Sequence, residues 1–169
     1  FGEDEDRATD FLNNSGSVDV LQVVQHLNPG GLEIVALDLI QHANQGREVH
    51  IVSLEGSKKE LIKQWPRLNR FSNRIHALGK PPGVSLLTLF KLNRLIRHIH
   101  PLTVHTHHIG PLLYGGIAAR LAGVPTLVHT EHDSWYLNNA NLLQLEKILL
   151  SITKPILVAD AKAVANQIT

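Results

Sequence analysis

The chain of 169 residues has the usual length of a single domain. Its composition, 43% hydrophobic and 18% charged with a net charge of +1, is that of a globular protein and excludes a disordered tail, a collagen and a disulfide scaffold. The lack of cysteine excludes thiolate metal sites and cysteine nucleophiles. Neither an apolar run of roughly 18 residues nor a signal-peptide pattern occurs, so we expect a cytoplasmic protein. Because the chain starts at Phe1 and contains no methionine, we expect it to be processed or trimmed.

Charge is unevenly distributed along the chain. Residues 1–10 contain five acids and one arginine, and together with the polar residues that follow they predict an acidic, flexible leader over residues 1–17. Residues 58–97 contain ten lysines and arginines and a single acid, Glu60. Such a stretch either attracts the phosphates of nucleic acid, anionic lipid or a charged substrate, or is a solvated surface. No RNA-binding, zinc-finger or helix-turn-helix motif is present in the sequence, so we expect no nucleic-acid partner.

The first half of the domain alternates strand and helix patterns. A β-branched run at 18–27 ends in the turn signal Asn-Pro-Gly-Gly and predicts a strand. Apolar residues at helical spacing then predict a helix over 32–45. A second strand is predicted at 48–54, a short helix at 57–65 and a short third strand at 74–78.

The second half continues this alternation. Residues 85–99 place their apolar side chains on one helical side and their basic ones outside it, which predicts a surface helix. A strand is predicted at 102–107, and the small residues of 111–123 predict a helix that packs closely on a sheet. The remaining patterns predict a strand at 126–132, a helix at 141–152, a strand at 155–160 and the start of a helix that runs to Thr169. The alternation predicts an α/β fold, a Rossmann-like, doubly wound parallel sheet with helices on both faces.

Ligands of such sheets bind beyond the carboxyl ends of the strands. The first candidate there is the pair Gly30 and Gly31, where a helix N-terminus either offers backbone N–H groups to an anion or follows a simple turn. The pair matches neither a dinucleotide fingerprint nor a phosphate-binding P-loop.

Two histidine-rich strand ends are the other candidates, the runs 105–108 and 129–133. Alternation along a strand places His105 and His107 on one face and the intervening Thr106 on the other. A buried, hydrogen-bonded core position is the simplest interpretation of His105 alone. The residues nearest the loops meet in a common cleft if the two strands are neighbours; these are His107, His108 and His132.

Imidazoles next to carboxylates are compatible with two kinds of chemistry. A divalent metal needs three or four converging ligands, and the available ones are His107, His108, Glu131, His132 and Asp133. Without metal, imidazoles donate hydrogen bonds to sugar hydroxyls or to a departing diphosphate. A serine hydrolase is not expected, because the sequence has no G-x-S-x-G motif.

The order and spacing of four fragments resemble the N-terminal half of family 4 glycosyltransferases. They are VLQVVQHLNPGGLE with the following ALDL, HPLTVHTHHIGPLLYGGIAARLAGVP, LVHTEHD, and ILVADAKAVANQI. The resemblance covers residues 18–169, nearly everything beyond the acidic leader. Such enzymes have the GT-B architecture of two Rossmann-like halves and transfer a sugar from a nucleotide sugar to an acceptor with retention of configuration.

The resemblance also implies roles for individual residues. Gly30 and Gly31 lie close to the donor diphosphate. His129 lies near the transferred sugar and helps catalysis, with Glu131 and His132 as its neighbours. The implied acceptor cleft contains His107, His108 and Tyr114.

The resemblance further implies a hexosyltransferase that acts in the synthesis of cell-surface polysaccharide or glycoconjugate. Its substrate is a nucleotide-diphosphate sugar, with no permanently bound cofactor and no metal ion. The N-terminal half of such enzymes mainly binds the acceptor, a glycan or a lipid-linked sugar. We therefore expect a peripheral contact with an anionic membrane at its inner face, made by Lys80, Lys91, Arg94 and Arg97.

The nucleotide-binding half of GT-B enzymes normally carries a basic pair and a Glu-x₇-Glu pattern, and this sequence contains neither. We therefore expect the 169-residue chain alone to be inactive. Two other classes of function remain open. One is a stand-alone binding module of Rossmann or flavodoxin type, and the other is a metal hydrolase that uses the histidine cluster.

Overall fold

A computed structural model describes residues 18–43, 46–131 and 139–159 of the chain. The strands in these residues are β1 (Val20–Val24), β2 (Val49–Ser53), β3 (Ile75–Ala77), β4 (Thr103–His107), β5 (Thr126–Glu131) and β6 (Ile156–Ala159). All pair in parallel, in the order β3-β2-β1-β4-β5-β6. The predicted Rossmann-like sheet is confirmed. Its strand order reverses between β1 and β4, which is the place where open α/β sheets bind their ligands.

Helices connect consecutive strands. They are α1 (Gly31–Gln41), α2 (Lys58–Gln64), α3 (Leu86–Ile99), α4 (Ile109–Pro111), α5 (Ile117–Ala122) and α6 (Ala140–Thr153). A 3₁₀ segment, Pro66–Arg74, lies between α2 and β3, and a π-helical turn, Leu112–Gly116, joins α4 to α5. The sequence patterns did not predict either of these irregular segments. The predicted leader and the predicted C-terminal helix lie outside the described residues.

Side-chain caps define the starts of three helices. The Ser57 hydroxyl accepts a hydrogen bond from the Glu60 N–H, and the Glu60 carboxylate accepts one from the Ser57 N–H, which completes a capping box at α2. Ser85 caps α3 and Asn139 caps α6 in the same way, with a side-chain oxygen that accepts from a first-turn N–H.

The central strands β1, β2 and β4 are largely buried on both faces, as expected for a parallel sheet covered by crossover helices, whereas the edge strand β6 is exposed. Alternate strand residues divide between two apolar clusters. Leu21 and Val23 pack on one face with α3, α5 and the π-helical turn, whereas Val24 packs on the other face with α1, α2 and the 3₁₀ segment. The continuous apolar run of β1 is therefore explained by two buried faces.

Two glycines allow the π-helical turn to pack closely, Gly115 against the sheet and Gly116 against α6. A Cβ atom on Gly115 would lie 2.6 Å from Thr106 Cγ2, and one on Gly116 would lie 3.1 Å from Thr153 Cγ2. The close packing predicted for the small residues of this helix is thus confirmed, and it brings the helix against the side chain of Thr106.

Among the described residues, no helix has the length and apolar character needed to cross a lipid bilayer.

A histidine pair bridges the two outermost strands on the β3 side. His50 Nδ1 lies 3.0 Å from His76 Nε2, and His50 Nε2 lies 3.0 Å from Glu48 Oε1. Burial, assisted by the charge of His50, lowers the pKa of His76 to about 4. Folding therefore favours the neutral form of His76.

We expect acid to destabilise the protein through His76. Because its pKa is lower in the folded than in the unfolded chain, its contribution is complete above about pH 6.5 and is lost as the pH falls towards 4. At about 1.4 kcal/mol per pKa unit, the change from 6.5 to about 4 corresponds to a loss on the order of 3 kcal/mol. Urea unfolding at several pH values measures it in the wild type and in His76→Gln, with the exposed His42→Gln as control. An equal acid loss in wild type and His76→Gln would contradict the assignment.

Candidate active site

Polar residues from five successive strands line the carboxyl edge of the sheet. Gln25 follows β1, Glu55 follows β2, Lys80 follows β3, His108 follows β4 and Glu131 ends β5. The Gln25 amide donates a hydrogen bond to Glu55 Oε1, and Lys80 Nζ lies 3.6 Å from the same oxygen. This edge, at the point where the strand order reverses, is the candidate site.

The loop after β1 lies directly against the start of α4. A Cβ atom on Gly110 would lie 2.5 Å from Gln25 Oε1, so a larger residue there would displace the Gln25 amide. The preceding residue, His108, has a φ of 65°, a conformation that non-glycine residues rarely adopt. The turn directs the His108 imidazole along the carboxyl edge.

His108 and Glu131 form a dyad at this edge. His108 Nδ1 donates to Glu131 Oε1 over 2.8 Å. The imidazole is 28% exposed, whereas the carboxylate is completely buried. The buried carboxylate fixes the orientation of this partly exposed ring.

His129 lies behind the dyad and is completely buried. Thr106, its register partner on β4, has its hydroxyl 3.0 Å from His129 Nδ1. The other ring nitrogen, Nε2, lies 3.7 Å from Glu131 Oε2 and 3.9 Å from Glu146 Oε1. Glu146 comes from α6 and is also fully buried.

These contacts shift the pKa values of both central residues. Burial alone would raise the pKa of Glu131, but the hydrogen bonds and charges of His108 and His129 lower it to about 2. Burial alone would lower the pKa of His129, but the two carboxylates of Glu131 and Glu146 raise it above its ordinary value. The folded protein therefore holds Glu131 ionised.

His105 and His107 lie on the opposite face of the sheet from Thr106 and His129. Their rings are 4.1 Å apart between centroids, which confirms that they share a face. His107 Nε2 donates to Gln22 Oε1 over 2.7 Å, and His105 Nε2 lies 2.7 Å from the Thr130 hydroxyl. The structure thus brings His108, Glu131 and His129 together and places the buried His107 elsewhere, while its cleft role stays a prediction.

The remaining predicted site residues lie around this centre. Gly30 directly precedes α1, and Gly31 begins it at the carboxyl end of β1. The buried Tyr114 accepts a 2.8 Å hydrogen bond from the Ser85 N–H and so supports the start of α3. His132 lies outside the described residues.

The predicted membrane-contact residues separate into two groups. The Lys80 side chain is only 8% exposed and lies on the carboxyl edge, with Nζ 5.9 Å from the Tyr114 ring centroid. Lys91, Arg94 and Arg97 are exposed residues of α3. Arg97 also donates to the Leu121 carbonyl over 2.6 Å and ties α3 to α5.

Sequence reasoning missed Glu146. The signal was its position in the helical pattern, because it precedes Leu149 by three residues and Thr153 by seven and therefore falls on the buried face of α6. A carboxylate on the buried face of a helix needs a partner, and only the fold shows that this partner is His129 of β5.

Two cavities accompany the described part of the chain. One of about 190 Å³ lies on the carboxyl edge beside Asn28 and Glu55. The other, of about 370 Å³, lies at the opposite edge near His100 and Pro125. We assign the site to the carboxyl edge despite the smaller volume, since the imidazole and carboxylate groups converge there.

The strand order and the polar carboxyl edge define a Rossmann-like α/β ligand-binding domain. The family model described as Glycosyltransferase Family 4 matches residues 29–166, and the chain belongs to this family. Among solved structures, it is similar to Anabaena Alr3699/HepE in complex with UDP and glucose, with a TM-score of 0.67 and 18% identity over 89% of this chain. The match spans 40% of the HepE chain. No curated protein matches the sequence.

We expect the Thr106 hydroxyl to hold the His129 ring in its orientation and to stabilise the fold. Replacement of Thr106 by valine keeps the shape but leaves a buried ring nitrogen without its partner, which costs about 1–3 kcal/mol of unfolding free energy. Urea denaturation measures this cost. The control is Thr103→Val on the same strand, where the side chain is partly exposed and the change should stay within about 0.5 kcal/mol. Equal stabilities of the two variants would contradict the role of Thr106.

Proposed function

We propose that this chain is the acceptor-side domain of a retaining glycosyltransferase that moves a sugar, of the hexose class, from a nucleotide-diphosphate sugar to a glycan or lipid-linked acceptor. The observation that carries the proposal is the His108–Glu131 dyad on the carboxyl edge of a family 4 domain. A partly exposed imidazole held by a buried carboxylate suits hydrogen bonding to sugar hydroxyls or to a departing diphosphate.

The start of α1 supports a donor-phosphate role for Gly30 and Gly31. Gly30 has an extended backbone, with φ −155° and ψ 170°, and provides no side-chain cap. The first-turn N–H groups of α1 therefore lack the side-chain acceptor that α2, α3 and α6 have. Backbone N–H groups and the helix dipole favour a phosphate there. The UDP in the HepE complex is consistent with such a donor.

We assign His129 a positioning role within this function. Its side chain is completely buried, so it acts through Glu131, which in turn holds His108. A direct contact between substrate and His132 stays part of the proposal, as does an acceptor cleft that includes His107, His108 and Tyr114.

The test of the dyad is donor turnover by the protein at its natural length. Loss of the His108 imidazole in His108→Gln should lower the turnover of a nucleotide-diphosphate hexose by about 100-fold or more, since positioned imidazoles contribute that much. The control His42→Gln changes an exposed histidine at the end of α1 and should leave turnover unchanged. Turnover is measured by chromatography as the amount of nucleoside diphosphate that the reaction releases.

Two results would count against this function. If His108→Gln stays within about twofold of wild type, the dyad is not part of the reaction. If the wild-type protein consumes no nucleotide sugar from a panel of donors, the transferase assignment itself fails, and a binding module or a metal hydrolase becomes the better explanation.

A basic and apolar face on α3 supports the membrane part of the proposal. The exposed apolar side chains at its start are Val84 (79%), Leu86 (79%), Leu87 (62%) and Phe90 (64%). Lys91 and Arg94 follow on the same helix and are exposed. Basic residues next to exposed apolar side chains favour an anionic lipid surface. We propose that this face holds the enzyme at the inner, cytoplasmic side of a membrane, where it acts in polysaccharide or glycoconjugate synthesis.

Vesicle sedimentation tests the face. The double variant Lys91→Gln/Arg94→Gln should weaken binding to anionic vesicles roughly 30-fold, because each basic residue contributes about 1 kcal/mol near such a surface. Lys58→Gln/Lys59→Gln on α2 removes the same charge away from the apolar patch and should have a much smaller effect. Binding that does not depend on the anionic lipid content would rule the contact out.

A further inference from the structure

The cluster of His129, Glu131 and Glu146 contains buried polar atoms that the surrounding groups do not satisfy. All three side chains are completely buried. Their ligand atoms lie within 4.8 Å of one another. His129 Nε2 and both carboxylate oxygens of Glu146 have no hydrogen-bond partner among the described residues. Three orphaned polar atoms at one buried point call for a ligand, since each costs about 1–3 kcal/mol if left unsatisfied.

The other contacts of His129 define which ring nitrogen faces the cluster. The Thr106 hydroxyl lies 3.0 Å from His129 Nδ1 and 3.4 Å from the Val128 carbonyl oxygen, so it is placed to accept from Nδ1–H while it donates to that carbonyl. This hydrogen bond leaves Nε2 turned toward the two carboxylates. A lone pair facing two carboxylates is unfavourable unless a cation lies between them.

A proton alone does not satisfy the cluster. Nε2 is 3.7 Å from Glu131 Oε2 and 3.9 Å from Glu146 Oε1, beyond hydrogen-bond length for either pair. An imidazolium at His129 would also leave both carboxylate oxygens of Glu146 without a hydrogen-bond partner among the described residues, because Nε2 lies 3.9 Å from Glu146 Oε1. Arg120 does not satisfy Glu146, because its guanidinium donates to the carbonyls of Thr153 and Lys154 at the end of α6.

A divalent cation with a neutral imidazole and two carboxylates makes the cluster electrically neutral. We propose that His129 Nε2, Glu131 and Glu146 bind a divalent transition-metal ion, with zinc as the expected metal. Ligand atoms about 2.1 Å from a tetrahedral zinc lie roughly 3.4 Å apart. His129 Nε2 lies 3.7 and 3.9 Å from the two carboxylates, and all three ligand atoms lie within 4.8 Å of one another. One imidazole and two carboxylates favour zinc or manganese over magnesium and calcium, which prefer oxygen alone.

The outer contacts of the cluster are those of a metal site. The Thr106 hydroxyl holds the Nδ1–H of the ligating histidine, and such outer hydrogen bonds orient metal-binding imidazoles. Glu131 contributes one oxygen to the cluster and the other to His108. The metal would therefore lie behind the candidate active site, within the buried layer between β5 and α6. It is a positioning element that does not touch the substrate.

The first experiment measures metal content and metal-dependent stability. The protein at its natural length is purified without a histidine tag and its metals are determined by inductively coupled plasma mass spectrometry. We expect one zinc or manganese ion per chain. Dialysis against EDTA should lower Tm, and addition of zinc alone should restore it by about 5–10 °C, whereas magnesium should not. A protein without metal, with a Tm that neither EDTA nor zinc changes, would overturn the proposal.

Matched variants locate the ion. Glu146→Gln keeps the shape and should weaken zinc binding about 100-fold or more; Thr106→Val should weaken it about 10- to 100-fold through the ligating imidazole. His76→Gln is the control, because His50, His76 and Glu48 form a second imidazole and carboxylate group. If His76→Gln loses the ion and Glu146→Gln keeps it, the metal lies in the control group and the proposal is wrong.

The proposal stays testable even if the variant Glu146→Gln does not fold. Should Glu146→Gln be unstable, the zinc titration of wild type and Thr106→Val still distinguishes the sites, since only the proposed site includes the Thr106 hydroxyl. Equal zinc affinity of these two proteins would contradict the proposal. None of these measurements uses sugar transfer, so their outcome does not depend on the proposed enzyme activity.

Discussion

The burial of the Glu131 carboxylate is the constraint on which the carboxyl edge of this sheet depends. A completely buried carboxylate is stable only with partners that compensate its lost hydration. Its partners come from two directions, His108 from the turn after β4 and His129 from its own strand. The turn after β4 is thereby fixed, although it contains the unusual positive φ of His108. One buried charge orients the exposed imidazole that the proposed chemistry uses.

Close packing of the π-helical turn also helps to position His129, through Thr106. Gly115 allows the helix to contact Thr106, whose hydroxyl bonds His129. A larger residue at 115 would push against Thr106 Cγ2, and Thr106 is the register partner of His129 on the neighbouring strand. Gly115 thus couples helix packing to the orientation of a side chain at the site.

Periodicity predicted most of the fold, because the parallel sheet and its covering helices repeat in the sequence as alternating apolar patterns. The 3₁₀ segment Pro66–Arg74 was not predicted, since it is largely polar and only Leu68 is buried in it. For the site, strand alternation correctly placed His105 and His107 on one face. The same rule places His107 and His108 on opposite sides of the sheet, as their partners Gln22 and Glu131 show, and a cleft that both residues line stays a prediction.

The contribution of α6 could not be predicted from a single sequence, because Glu146 is brought to His129 only by the packing of α6 against the β4 and β5 side of the sheet. Local patterns show that a charge lies on an apolar helix face, but its partner is 17 positions away, on β5. The two faces of β4 illustrate the general point. His107 and Gln22 satisfy each other completely on one face, whereas on the other face the buried groups around His129 contain orphaned polar atoms. Satisfied polar pairs stabilise a fold, and orphaned ones indicate where it binds something else.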